Sequence, residues 1–167
     1  MTDRPQGIVL VDTNVIIEAH RLRCWNRIAG SYEIITSNEC IEECSRGRQS
    51  RTGYVKIEIP KLKSQVRGFK VKDIDRARLE LKLQSRVDLD QGEKDLLALF
   101  LTIRSNYMIC SSDKAALRAG YILGIIDKYI SLEELVFQVG QSKVRFREQY
   151  TQRWLETQRM DLKLEIY

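Results

Sequence analysis

Histidine is almost absent from this sequence: among 167 residues there is one, His20. A Ser-His-Asp or Cys-His nucleophile system needs an imidazole to take the proton from its nucleophile, and a lone histidine behind the apolar helical run Val15, Ile16, Ile17, Ala19 suits that role poorly. Cysteine is sparse too. Cys24, Cys40, Cys44 and Cys110 include no C-x-x-C spacing, so neither a zinc site nor a disulfide scaffold fits. Cys40 and Cys44 fall i, i+4 on an expected helix and read as small buried hydrophobes. No apolar run approaches the roughly 20 residues of a membrane span. Met1 to Gly7 has no charged segment leading into a long apolar core, so a cytoplasmic protein is expected. What is present is 43% hydrophobic and 31% charged residues, the balance of a folded globular chain with one core. The net charge of +5 permits a polyanionic partner without requiring one.

Gly7 to Val11 is a run of β-branched and aliphatic residues ending at Asp12, the pattern of a strand buried on both faces of a parallel sheet. The spacing then predicts a helix from about Thr13 to Ala29, a strand at Tyr32 to Ile35, and a helix capped by Thr36 or Ser37 that runs to about Arg46. Arg48 to Lys72 carries eight Lys and Arg residues against one acid, Glu58. Within it, Tyr54 to Ile59 alternates up to Pro60 and suggests a short hairpin or edge strand in a basic insertion over 48–72. Further helices are expected over Asp73 to Arg86, with Ile74, Ala77 and Leu81 in helical register, and over Glu93 to Arg104, which is apolar almost all round. A strand at Tyr107 to Cys110, a helix at Asp113 to Ala119, a last strand at Tyr121 to Ile126 and a helix at Leu132 to Val139 follow. A charged helix from Lys143 to Met160 would carry Phe146, Tyr150 and Trp154 in one stripe. The alternation predicts an α/β fold, a three-layer α/β/α sandwich with a mainly parallel central sheet, over 1–139, with a helical extension over 140–167.

In such folds ligands bind beyond the carboxyl ends of the strands. Asp12 and Asp113 each follow a strand, although each also suits a helix N-cap. Glu93 lies in the first turn of the apolar helix, on the side of Leu96 and Leu97, where Asp90-x-x-Glu93 also has the spacing of a capping box. Glu43 borders the stripe Cys40, Ile41, Cys44, with Glu39 and Glu42 as competitors. Acids gathered without histidine or cysteine point to a hard divalent cation, Mg²⁺ or Mn²⁺, and to phosphoryl-transfer chemistry. No GxxxxGK[ST] loop and no GxGxxG turn is present, and a phosphoaspartate hydrolase would carry a second Asp where this chain has Asn14.

Four segments, Ile8-Val-Leu-Val-Asp12-Thr-Asn-Val, Thr36-Ser-Asn-Glu-Cys-Ile-Glu-Glu43, Leu89-Asp-Gln-Gly-Glu93-Lys-Asp-Leu-Leu-Ala-Leu and Ile109-Cys-Ser-Ser-Asp113-Lys-Ala-Ala, resemble the PIN-domain ribonucleases in order and spacing, and Gly124 to Leu135 resembles the family's last strand and helix. The resemblance implies a metal-dependent endoribonuclease in which Asp12, Glu43, Glu93 and Asp113 are catalytic and hold one or two Mg²⁺ or Mn²⁺ ions, with Asn14 and Ser111 as supporting polar residues. Glu42 stays open as an alternative to Glu43, and Asp95 as an alternative to Glu93. Lys114, Ala115 and Ala116 stand where some members have a further acid, which bears on a second metal. The implied reaction is in-line attack of an activated water on an RNA phosphodiester. The basic insertion, through Arg48, Arg51, Lys61 and Lys63, is expected on charge alone to gather the RNA backbone. Many small bacterial members are toxins of toxin-antitoxin pairs, so the resemblance also implies an antitoxin protein and a homodimer as partners. The rival readings are a non-catalytic PIN-like module binding RNA or protein, a structure-specific DNA nuclease, and a regulatory domain whose acids are all caps.

Overall fold

A computed structural model of the chain describes residues 7–46, 55–104 and 106–165. Its centre is a parallel sheet of four strands, β1 (Ile8–Val11), β2 (Glu33–Ser37), β3 (Arg67–Phe69) and β4 (Tyr107–Cys110), in the order β3-β2-β1-β4. The aliphatic run of β1 is accounted for by its central place, since a strand covered on both faces has no side to give to water. Successive side chains point to opposite faces, so Val9 and Val11 enter one core with Ile34 and Cys110, whereas Leu10 enters the other with Ile35 and Ile109.

The first face is covered by α1 (Thr13–Arg21), α2 (Trp25–Ser31) and α8 (Leu132–Gln138), and by Ile41 and Cys44 of α3 (Asn38–Ser45). The second is covered by α5 (Asp73–Leu83), α6 (Gln91–Phe100), α7 (Lys114–Ile122) and α9 (Gln152–Leu164). This is the expected three-layer α/β/α sandwich. A further helix, α4 (Ile59–Gln65), leads into the edge strand β3. All four cysteines are buried, as Cys40 and Cys44 were expected to be.

The structure departs from the sequence expectations in five places. The helix expected over Thr13 to Ala29 is two helices, broken where Arg23 takes a left-handed φ of 56°. The hairpin or edge strand expected at Tyr54 to Ile59 is not formed by the described part, residues 55–59. Pro60 instead sits in the first turn of α4, where its missing N–H costs nothing, and the edge strand comes later, as β3. Tyr54 itself lies outside the described residues. The last strand expected at Tyr121 to Ile126 is replaced by the end of α7 and a 3₁₀ turn at Ile126–Lys128, and only Tyr129 bridges to Ile109. Tyr129 lies against Gly120, where an added Cβ would come within 2.7 Å of its Cζ, and donates its hydroxyl to Ala116 O at 2.7 Å.

The helix expected from Lys143 to Met160 begins only at Gln152, capped by Thr151. Phe146 and Tyr150 therefore pack on the first core and Trp154 on the second, rather than in one stripe. Finally, Ile74, Ala77 and Leu81 form the outward face of α5, and its buried face is Asp75, Leu79 and Leu83.

Candidate metal centre

The carboxyl ends of β1 and β4 set the site. β1 is followed at once by Asp12, the N-cap of α1, which is 4% exposed. Its Oδ1 accepts the Val15 N–H at 2.9 Å, and its Oδ2 accepts the Ser111 hydroxyl at 2.6 Å. Ser111 follows β4 and also accepts the Asp113 N–H at 3.4 Å. Asp113 caps α7, its Oδ1 accepting the N–H groups of Ala115 and Ala116 at 2.7 and 3.1 Å. Both acids are therefore caps, which orients them; whether they serve only as caps turns on their neighbours.

From α3, Glu43 accepts the Thr13 hydroxyl at 2.5 Å and rests its carboxylate on Gly92, where an added Cβ would lie 2.8 Å from Oε2 and 2.9 Å from Oε1. The glycine of Gly92-Glu93 is thus a place of close approach between α3 and α6. Glu93 completes a capping box: its N–H donates to Asp90 Oδ1 at 2.8 Å and its Oε2 accepts the Asp90 N–H at 3.0 Å. Its carboxyl also lies near enough to that of Asp113 to be repelled by it.

These acids feel one another. Burial pushes Asp12 up to about 6 against the opposing bonds from Ser111 and Val15, with repulsion from Asp113 and Asp90 adding to the rise. Glu93 is pushed up to about 8, first by burial and then by Asp113 and Asp90. Glu43 is raised by burial, then by Asp90 and Glu39, while Thr13 and Arg46 pull it down. The structure thus brings Asp12, Glu93 and Asp113 into one repelling group, and Asp90 links Glu43 to it.

The competitors are engaged elsewhere. Asp95 is buried in a two-pronged pair with Arg76 at 2.8 and 3.0 Å and accepts from Gln91 at 2.7 Å. Glu42 is exposed and paired with Arg46 at 2.6 Å, and Glu39 with the same arginine at 3.2 Å. Asn14 is exposed in the first turn of α1, with its carbonyl 3.5 Å from the Tyr150 hydroxyl. Lys61 and Lys63 are exposed on α4, whereas Arg48 and Arg51 lie outside the described residues. Sequence reasoning missed Asp90, Thr13 and Gly92 as parts of the site. Asp90 was legible as a cap, and only its repulsion of three other carboxylates marks it as more.

The donors are all hard oxygens. His20 lies in the last turn of α1, at the other end from Asp12, and the nearby Cys40 thiol, raised by burial, is directed at Gly92 O at 3.7 Å. Among the described residues no three histidine, cysteine or carboxylate groups already form a ligand cage. The chemistry of the donor set fits Mg²⁺ or Mn²⁺, because such an ion prefers oxygen ligands and offsets the burial and repulsion that lift Asp12 and Glu93. No family model matches this chain, and no curated protein matches it.

Proposed function

We propose that this protein is a metal-dependent endoribonuclease that hydrolyses RNA phosphodiester bonds at the Asp12, Glu43, Glu93 and Asp113 group. The observation that carries the reading is the convergence of acids from the β1–α1 junction, α3, α6 and the β4–α7 turn at the carboxyl end of a parallel sheet, with Asp12 and Glu93 held against burial and the repulsion of Asp113 and Asp90. The four segments that resemble the PIN-domain ribonucleases carry the same four acids, and the resemblance supports the same reading.

When bound, Mg²⁺ or Mn²⁺ supplies Lewis acidity at the phosphate and makes a nearby water acidic enough to attack at neutral pH. The rest is the work of the chain. Ser111 and the Val15 N–H fix the two oxygens of Asp12, Thr13 fixes Glu43, and the capping box fixes Glu93, so the carboxylates are preorganised before substrate arrives. Glu93, pushed up to about 8 by burial and by its acidic neighbours, would give up its proton on cation binding.

The test is cleavage of labelled single-stranded RNA and matched DNA with Mg²⁺, Mn²⁺ or EDTA. Metal-dependent RNA cutting reduced by about a hundredfold or more in both Asp12→Asn and Asp113→Asn is expected. Cutting that survives both substitutions would overturn the assignment, and cutting of DNA alone would replace RNA as the substrate.

A further inference from the structure

At the far end of α1 lies a cavity of about 440 Å³, between the α1–α2 corner and α4. It lies beyond the nuclease reading. None of its lining side chains belongs to the acidic group, and His20 is eight residues along α1 from Asp12, about 12 Å at the helical rise.

Two features of its wall point to a ligand. The first is an aromatic wall, the half-buried ring of His20 backed by the buried Trp25. His20 and Trp25 stack with ring centroids 5.2 Å apart and planes at 20°. The indole N–H of Trp25 donates to Gln65 Oε1 at 2.9 Å, and Gln65 in turn donates to Asn26 at 2.9 Å, so the wall is braced from α4. His20 Nδ1 bonds Ile16 O at 2.7 Å, and burial disfavours its charged form; the ring is therefore neutral, Nδ1 carries the proton and Nε2 is left as an acceptor.

The second is charge. Arg23, Lys56 and Lys61 line the cavity against one acid, Glu58, and none of the three forms an ion pair with a described residue. Arg23 reaches this position from a left-handed backbone at the helix break. Three cations against one acid, beside the His20 ring, match a ligand with an anionic group at one end and a planar ring at the other, and the volume lies in the range of small-molecule sites.

We propose that this cavity binds a nucleotide, with its base laid against the His20 ring, which Trp25 backs from the core, and its phosphate held by Arg23, Lys56 and Lys61. The nucleotide comes either free or as one unit of a single-stranded RNA.

Trp25 is its own reporter, since Trp154 is the only other tryptophan. In the full chain carrying Trp154→Phe, with EDTA present so that the acidic site plays no part, tryptophan emission is followed during titration with adenosine 5′-monophosphate, ribose 5-phosphate and a short oligoadenylate. A saturable change with the mononucleotide or the oligonucleotide is expected, weakened about tenfold or more by Lys56→Gln with Lys61→Gln, both exposed positions. Ribose 5-phosphate, which lacks the base, should bind about tenfold more weakly or worse. Tighter binding of the oligonucleotide assigns the site to an RNA strand, and equal or weaker binding assigns it to a free nucleotide. No saturable change with either, a change untouched by the lysine substitutions, or equal affinity for ribose 5-phosphate would overturn the proposal. Because no cleavage is read, each of these results leaves the nuclease reading where it stood.

Discussion

Gly92 shows how one hydrogen atom in place of a methyl group shapes the site. Glycine inside a helix ordinarily costs about 1 kcal/mol against alanine, so Gly92→Ala should stabilise α6 if propensity alone ruled. Here the added Cβ would meet both carboxylate oxygens of Glu43 at under 3 Å. The expected outcome is the opposite sign, a loss of about 1 to 2 kcal/mol in urea unfolding, together with weaker stabilisation by Mn²⁺ as Glu43 is displaced. The same scale governs pH. A carboxyl whose folded pKa lies above its unfolded value holds its proton more tightly when folded, so Asp12 and Glu93 add stability at acid pH. That stability drains away as pH rises from about 4, through 6 for Asp12, to 8 for Glu93. In the metal-free protein Glu93→Gln, which can still close the capping box, should therefore raise the melting temperature at pH 8 by a few degrees, about 1 kcal/mol for this half-exposed group, and change little at pH 4.5. A lower melting temperature at pH 8 would mean that the Glu93 charge is not penalised by burial and its acidic neighbours.

At the scale of elements, the helices and strands nearest the acids were the most legible. β1, β2, α3, α6, β4 and α7 all lie close to where periodicity and caps put them, because each joins a strong apolar pattern to a side-chain cap or a buried face. Asp12, Asp90 and Asp113 were readable as caps from their places before apolar runs, but their mutual repulsion is a property of three chain segments brought together, and no local window contains it. The α1–α2 break was illegible because neither glycine nor proline marks it: Arg23 and, at the end of α5, Gln84 and Ser85 hold positive φ as ordinary residues. Gln84, the left-handed C-cap of α5, gives a direct check: Gln84→Gly should stabilise the protein by about 0.5 to 1 kcal/mol in thermal unfolding. The outward turn of Ile74, Ala77 and Leu81 has a polar cause. The other side of α5 carries Arg76, whose fork closes on the buried Asp95, and that pair fixes the rotation of the helix. Arg76→Ala leaves the buried Asp95 without its cation, held by Gln91 alone, and should cost about 3 kcal/mol by urea denaturation.

Across the whole molecule, two cores share one sheet, and the segment after Gly140 ties them together. Tyr150 is buried in the first, Leu155 and Leu162 in the second, and Arg159 reaches back to the carbonyls of Ile126 and Tyr129. A chain ending at Gly140 should therefore lose about 4 kcal/mol or more, from three large side chains at about 1.5 to 3 kcal/mol each, and should melt far below the full chain or fail to stay in solution.

The strand order has a further consequence for the birth of the protein. β1 is flanked by β2 and β4, yet β4 begins almost a hundred residues after β1 ends. At a ribosomal rate of about 5 to 20 residues per second, the aliphatic run of β1 waits several seconds or more with one edge open before its second neighbour has been translated. During that interval a strand with no polar face is available to other nascent chains, so yield on expression should depend on chaperone capacity and growth temperature more steeply than the stability of the finished fold would suggest.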